Sequence, residues 1–209
     1  MEVIDRDCLL EIVRGIWTMI QEKKEYLTDL DAAIGDADHG INLARGFDAV
    51  WRKLEEMRTF DIGAILKAVG MTLVSEVGGA SGPLFGTAFI EASKRVQGKT
   101  EINRDDIVNL GEAALNGIKK RGRSGRGDKT MIDSIEPALE AFRSAASLME
   151  GLHRATEGAQ WGVKETVGLI AKKGRASYLG ERSIGHQDPG AASSALMIEV
   201  AYDTLKRRA

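Results

Sequence analysis

Apolar residues recur at three- and four-residue spacing along almost the whole chain, and runs alternating in the manner of half-buried strands are hard to find. That pattern restricts the chain to an all-α fold, and eight helices are expected. A first helix, roughly 5–25, carries Leu9, Ile12, Val13, Ile16 and Ile20 on one stripe. A second, roughly 40–57, carries Leu43, Phe47, Val50, Trp51 and Leu54. The third, roughly 61–77, uses Ile62, Ile65, Leu66, Val69 and Leu73, and the fourth opens at Ser81-Gly82-Pro83, with proline in a first turn. The fifth follows Asn103, a good N-cap, and runs through Ile118. A sixth, roughly 130–147, contains Pro137, either as a kink or as the mark of its true first turn. The seventh and eighth are expected over roughly 151–172 and 190–206. At 209 residues the chain fits one domain spanning its whole length.

The connectors alternate in character. Those around 55–61, 97–103 and 149–151 are short and chemically plain, and read as structural turns. Those joining helices one to two, three to four, five to six and seven to eight are polar and glycine-rich. In an antiparallel up-and-down bundle, alternate connectors share an end. The four polar loops therefore meet at one rim, and a functional site is expected there.

The first of these loops, Asp31-Ala32-Ala33-Ile34-Gly35-Asp36-Ala37-Asp38-His39-Gly40, packs three carboxylates into eight residues. Like-charge repulsion disfavours that unless a cation lies between them. Asp31, Asp36 and Asp38 offer hard oxygen ligands, which suit Mg²⁺ when positions are left for water and phosphate. The alternative is that Asp36 and Asp38 only cap the second helix. His39 reads as a polar contact to phosphate or another ligand, because three histidines and one cysteine do not suggest a zinc cluster.

Gly78-Gly79-Ala80-Ser81-Gly82-Pro83 leads into the fourth helix, where free backbone N–H groups and glycines suit an anion; a tight helix–helix turn needs the same residues. The third loop, Gly122 to Thr130, superficially resembles a phosphate-binding P-loop, but Asp128 intrudes before Lys129 and no strand precedes it. Lys119, Lys120 and Arg121 complement a helix C-terminus or meet a ligand, whereas Asp128, Lys129, Thr130 and Met131 are expected to line the ligand. The last loop, from Lys172 to Gly190, is long and without a clear element, as functional lids often are. Arg175 and Arg182 can reach phosphate from it, and Asp188-Pro189-Gly190 suits a sharp turn into the eighth helix. A structural arm stitching the bundle end is the other reading.

Lys plus Arg total 29 against 31 Asp plus Glu, so the chain lacks the broad basic field that nucleic acid or anionic lipid attracts. Cys8, the single cysteine, excludes an internal disulfide and suits a reducing compartment, with cytoplasm as the expectation. No apolar run is long enough to span a bilayer, and the first residues do not read as a leader.

Taken together and in order, Gly35-Asp36-Ala37-Asp38-His39-Gly40, the Gly78 to Gly86 string, Gly127-Asp128-Lys129-Thr130-Met131 and the Gly174 to Gly190 string closely resemble the nucleotide-binding (L) subunit of dihydroxyacetone kinase. They resemble equally the corresponding C-terminal domain of its ATP-dependent relatives. The resemblance implies an eight-helix barrel holding ADP or ATP at one end. It implies that Asp31, Asp36 and Asp38 carry the catalysis by binding two Mg²⁺ ions that bridge to the phosphates. His39, Gly40, Ile41, Asn42, Ala80, Ser81, Gly122, Met131, Arg175, Asp188, Pro189 and Gly190 match nucleotide-contacting positions, and Gly79 and Thr130 join them from the loop reading.

In the family a separate K subunit holds dihydroxyacetone covalently through a histidine, and a phosphohistidine-carrying M subunit can recharge bound ADP. The implied activity is therefore a kinase reaction completed with a partner, driven either by a phosphotransferase protein or by free ATP. Where many relatives have proline in the third loop, this chain has Gly125-Arg126. A nucleotide sensor docking on a regulator and a Mg²⁺-dependent hydrolase are the competing classes.

Overall fold

A computed structural model describes residues 2–57 and 61–209. The expected plain turn over 55–61 falls partly outside the described residues, at Arg58, Thr59 and Phe60. Among the described residues eight α-helices follow one another: α1 (Arg6–Ile34), α2 (His39–Glu55), α3 (Ile62–Glu76), α4 (Ser81–Ser93), α5 (Arg104–Gly122), α6 (Ile132–Arg143), α7 (Leu148–Thr166) and α8 (Pro189–Arg208). Each packs on its successor and α8 returns to α1, so the bundle closes into a barrel. The interior is filled by the apolar stripes, with Ile20, Phe47, Leu73, Ile118, Leu148 and Leu205 among the wholly enclosed side chains.

Side-chain caps set most of the starts. Asp5 accepts the Cys8 amide at 2.7 Å, Asp61 that of Ala64 at 2.9 Å, and Ser147 that of Glu150 at 3.2 Å. Asn103 and Asp106 form a reciprocal capping box at the head of α5. Asp188 accepts the Ala191 amide at 2.7 Å, with Pro189 in the first turn of α8.

Three expectations about helix bounds are revised, and one left open is decided. The first helix does not stop near residue 25. Leu27, Asp31 and Ile34 continue its buried stripe, while the charged run Glu22-Lys23-Lys24-Glu25 is a solvated face and not an end. The sixth and seventh helices are shorter than expected, ending at Arg143 and Thr166. Pro137 lies inside α6 and not at its start. Proline has no N–H for the carbonyl of Asp133 four residues back, and the backbone of Gly162 on α7 closes over that carbonyl so tightly that a Cβ there would stand 1.9 Å from it. The glycine thus sets the approach of α7 to α6.

Two short elements were not expected. Strand β1 (Val3–Asp5) pairs antiparallel with β2 (Glu101–Asn103), Val3 opposite Asn103, clasping the head of α1 to the α4–α5 connector. The long α7–α8 connector is not structureless but winds through 3-10 turns over Arg175–Ser183, broken at Gly180 where φ is 56°.

Candidate functional site

The alternation of connectors has the expected consequence: the α1–α2, α3–α4, α5–α6 and α7–α8 loops all border one cavity of about 610 Å³. That volume is typical of small-molecule and cofactor sites, roughly 300–1,000 Å³. Even-numbered helices begin at this rim and odd-numbered ones end there, so the helix dipoles largely cancel over the barrel. Local backbone amides and side chains decide which charge the cavity favours.

Asp31 belongs to the last turn of α1 and not to the loop, which shrinks to residues 35–38. Its Oδ2 accepts the amides of Asp38 at 2.9 Å and His39 at 3.2 Å, so Asp31 caps α2 from the end of α1. Asp38 occupies the N-cap position yet makes no side-chain capping bond. The capping explanation for Asp36 and Asp38 therefore lapses. Gly35 makes room for this arrangement, since a Cβ there would meet the Asp31 carboxylate at 2.0 Å. Carboxylate oxygens of Asp31, Asp36 and Asp38 lie within 4.8 Å of one another. Arg175 Nε stands 2.6 Å from Asp36 Oδ2, a cation already drawn to the cluster. The donor set and its spacing fit a hard divalent cation.

Buried His39 links two helix starts, its Nδ1 3.0 Å from Ser81 Oγ and its Nε2 3.0 Å from Ser193 Oγ. Burial pushes its pKa below the ordinary histidine value, and Asp31 and Asp38 offset this only in part. The ring is a neutral brace between α4 and α8. Beside it, α4 begins at Ser81 behind Ala80, an N-cap residue with no side-chain capping bond, after Gly79 at φ 69°, leaving first-turn amides for a ligand.

The cavity lining includes Asp31, Asp36, Asp38 and His39 from the first loop, and Gly79, Ala80 and Ser81 from the second. Gly122, Thr130 and Met131 line it from the third, and Arg175, Asp188, Pro189 and Gly190 from the fourth. Gly40, Ile41 and Asn42 do not line it. Gly40 is a packing point, where a Cβ would meet the Lys24 carbonyl at 2.0 Å; Ile41 faces solvent, and buried Asn42 accepts from Arg45 at 3.1 Å. Asp128 is also outside the lining: it accepts the Gly125 amide at 3.0 Å and lies 3.6 Å from Lys172 Nζ. Lys129 backs onto the cavity, but its ammonium turns away and is fully engaged by main-chain carbonyls.

Sequence reasoning passed over Leu84 and Ile118, which supply apolar wall, and left Arg121 between a helix-end and a ligand role. Arg121 does line the cavity. The signal available was register: all three lie on the helix faces adjoining the polar loops.

Asp188 is enclosed, and burial pushes its carboxyl up to about 7; the Ala191 amide opposes this, while nearby Asp133 and Asp31 add to it and Lys129 subtracts. Among the described residues no helix is long and apolar enough to cross a membrane.

The DAK2 domain family matches residues 33–203. The ADP-binding subunit DhaL of PEP-dependent dihydroxyacetone kinase 1 from Listeria innocua is 46% identical over 96% of this chain and 97% of its own length. The ADP-binding subunit DhaL of the PEP-dependent kinase from Escherichia coli is 47% identical over 85% and 87%. Among solved structures, the dihydroxyacetone kinase of C. freundii aligns with a TM-score of 0.74 at 26% identity over 93% of this chain. The same kinase in complex with AMP-PNP and Mg²⁺ gives 0.71 at 25% identity. This chain spans about a third of the length of that kinase, 34% and 33% in the two structures.

Proposed function

The chain belongs to the DAK2 domain family and, within it, to the DhaL subunits of dihydroxyacetone kinase, and from that membership and the cavity we propose that it is the nucleotide-binding subunit of such a kinase. It passes a phosphoryl group to dihydroxyacetone held on a separate K subunit. ADP serves as a bound cofactor that a phosphohistidine-carrying M subunit recharges. Use of free ATP, or another small ketose as acceptor, is the variant reading.

One observation carries this proposal: an acidic triad, uncapped helix-start amides and an arginine converge on a single cavity. Asp31, Asp36 and Asp38 would hold Mg²⁺, two ions by the family resemblance; when bound, the cation neutralises phosphate charge. The amides of the α4 start and the Arg175 guanidinium, both beside the triad, bind and orient the phosphates. His39, being neutral, adds no charge there and fixes the spacing of α4 and α8. Leu84 and Ile118 exclude water from the deeper wall. What the protein contributes to transfer is thus positioning and charge complementarity, the acceptor hydroxyl coming from the partner.

The DhaL relatives named above match along nearly their entire length and are ADP-binding subunits by name, which favours the bound-ADP form. Mass spectrometry of gently purified protein tests it. ADP retained through desalting, followed by phosphoryl transfer on adding K and M subunits, is the expected result. A nucleotide-free protein active with K subunit and ATP alone favours the variant, and no activity in either mixture removes the kinase assignment.

A further inference from the structure

The α5–α6 loop carries a lysine whose destination no sequence pattern announces. Lys129 is 1% exposed, and its backbone is bent into the left-handed region, at φ 61°. For a residue with a long side chain that conformation is unfavourable and persists only where surrounding contacts hold it. The bend carries the side chain inward, behind the cavity wall. There Nζ donates to the carbonyls of Thr166 at 2.7 Å, Ser183 at 2.7 Å and His186 at 2.6 Å, with that of Leu169 at 3.2 Å. An ammonium has three protons, and the three short contacts use them all. Burial without such partners would be prohibitive for a cation.

The four acceptors come from both roots of the α7–α8 connector: Thr166 and Leu169 where it leaves α7, Ser183 and His186 where it approaches α8. Each root is tied again nearby. Ser183 Oγ accepts the Ala171 amide at 2.9 Å, the Gly185 amide reaches the Val167 carbonyl at 2.8 Å, and Thr166 Oγ1 accepts the Asp188 amide at 3.0 Å. Two residues beyond His186 begin Asp188, Pro189 and Gly190, which wall the cavity. The tip of the same connector carries Arg175, whose side chain is 68% exposed and reaches Asp36. The roots are therefore pinned, while the tip meets the barrel through the Arg175–Asp36 ion pair, the Lys172–Asp128 contacts and a light contact with α1.

We propose that Lys129 is a positioning residue: its ammonium gathers both roots of the α7–α8 connector and thereby sets Arg175 and the Asp188–Gly190 wall against the acidic triad. It acts through those groups and does not itself touch the nucleotide. Only the second arm of the test below rests on the nucleotide-binding reading.

The variant is Lys129→Ala, which leaves a carbonyl-lined vacancy that methylammonium can fill, with Lys129→Met as a neutral partner of similar length. The first arm needs no nucleotide. Trypsin can cut the connector after Lys172, Lys173, Arg175 and Arg182. Cleavage there is expected to accelerate at least tenfold in both variants, while the rest of the barrel stays resistant and the circular-dichroism spectrum is unchanged. Methylammonium should restore resistance to the alanine variant alone, because the methionine side chain fills the space without donors.

In the second arm, on protein first stripped of any co-purified nucleotide, Mg²⁺-ADP affinity measured by calorimetry should fall on the order of tenfold, about 1.4 kcal/mol, and recover with methylammonium in the alanine variant. Wild-type protease resistance in both variants overturns the proposal. So does loss of the cooperative melt in both, unrelieved by methylammonium, since Lys129 would then hold the whole barrel and not the connector. A loosened connector with unchanged ADP affinity overturns the link to the site. If wild-type protein binds no ADP, the functional reading fails while the protease result still decides the pinning.

Discussion

Arg175 Nε lies 2.6 Å from Asp36 Oδ2, joining the tip of the α7–α8 connector to the α1–α2 loop across the mouth of the cavity. The guanidinium and a divalent cation want the same carboxylate. Removing the arginine should therefore help a bare cation and harm a nucleotide. In Arg175→Ala, Mn²⁺ affinity without nucleotide, read by electron paramagnetic resonance, is expected to rise about two- to fivefold, as loss of an exposed ion pair allows. Affinity for Mg²⁺-ADP should fall, because a guanidinium that donates hydrogen bonds to the phosphates is gone. A fall in both would show that the arginine does not compete for Asp36.

Asp36 offers a sharper separation of fold from function. It is exposed and caps no helix, so Asp36→Ala should leave helicity and melting temperature unchanged. Nucleotide-dependent phosphoryl transfer with the partner subunits should be abolished, and Mg²⁺-ADP binding should weaken tenfold or more, at least about 1.4 kcal/mol. Full activity in this variant would refute the assignment of the acidic triad.

The buried Asp188 gives a pH dependence of defined sign. Its folded-state pKa, about 7, stands above the ordinary 3.8. The native state thus holds a proton that the unfolded chain has released between about pH 4 and 7, and this group's contribution to stability declines as pH rises through that window. Above pH 7 the penalty is fully present; below pH 4 it is gone. Asparagine keeps the cap on Ala191 without the charge. The melting temperature of Asp188→Asn relative to wild type, in chelator, should increase from pH 4 to 7 and level off beyond. A difference independent of pH would contradict the shift.

Gly162 tests the packing that carries the α5–α6 and α7–α8 loops to the same rim. A Cβ there would stand 1.9 Å from the Asp133 carbonyl, which is main chain and cannot rotate away. Helix propensity favours alanine by about 1 kcal/mol, but overpacking costs roughly 1–3 kcal/mol, and a main-chain clash falls at the upper end. Gly162→Ala is expected to lower stability in urea denaturation by about 2 kcal/mol net.

Much of the barrel was legible because helix periodicity is local and caps are short motifs: Asn103 and Asp188-Pro189 mark their helices in the sequence and in the structure. The meeting of four loops followed from alternation alone. The end of α1 was missed because Glu22 to Glu25 has the composition of a boundary, whereas Leu27 and Ile34 resume the stripe beyond it. The β1–β2 pair was missed because three residues cannot show a period of two. The role of Lys129 was invisible for a different reason. Its partners are carbonyls, present at every position, and which ones converge is fixed only when a distant connector folds. Asp31 was expected among the acids, but its duty toward the amides of Asp38 and His39 depends on where α1 stops.

The β1–β2 clasp places residue 3 beside the α4–α5 connector, and Arg208 lies near Asp5 and Glu11 at the same pole. Both extremities of the described chain thus emerge opposite the cavity. A tether, fluorophore or fused polypeptide attached at either one leaves the mouth clear and the interior of the barrel undisturbed.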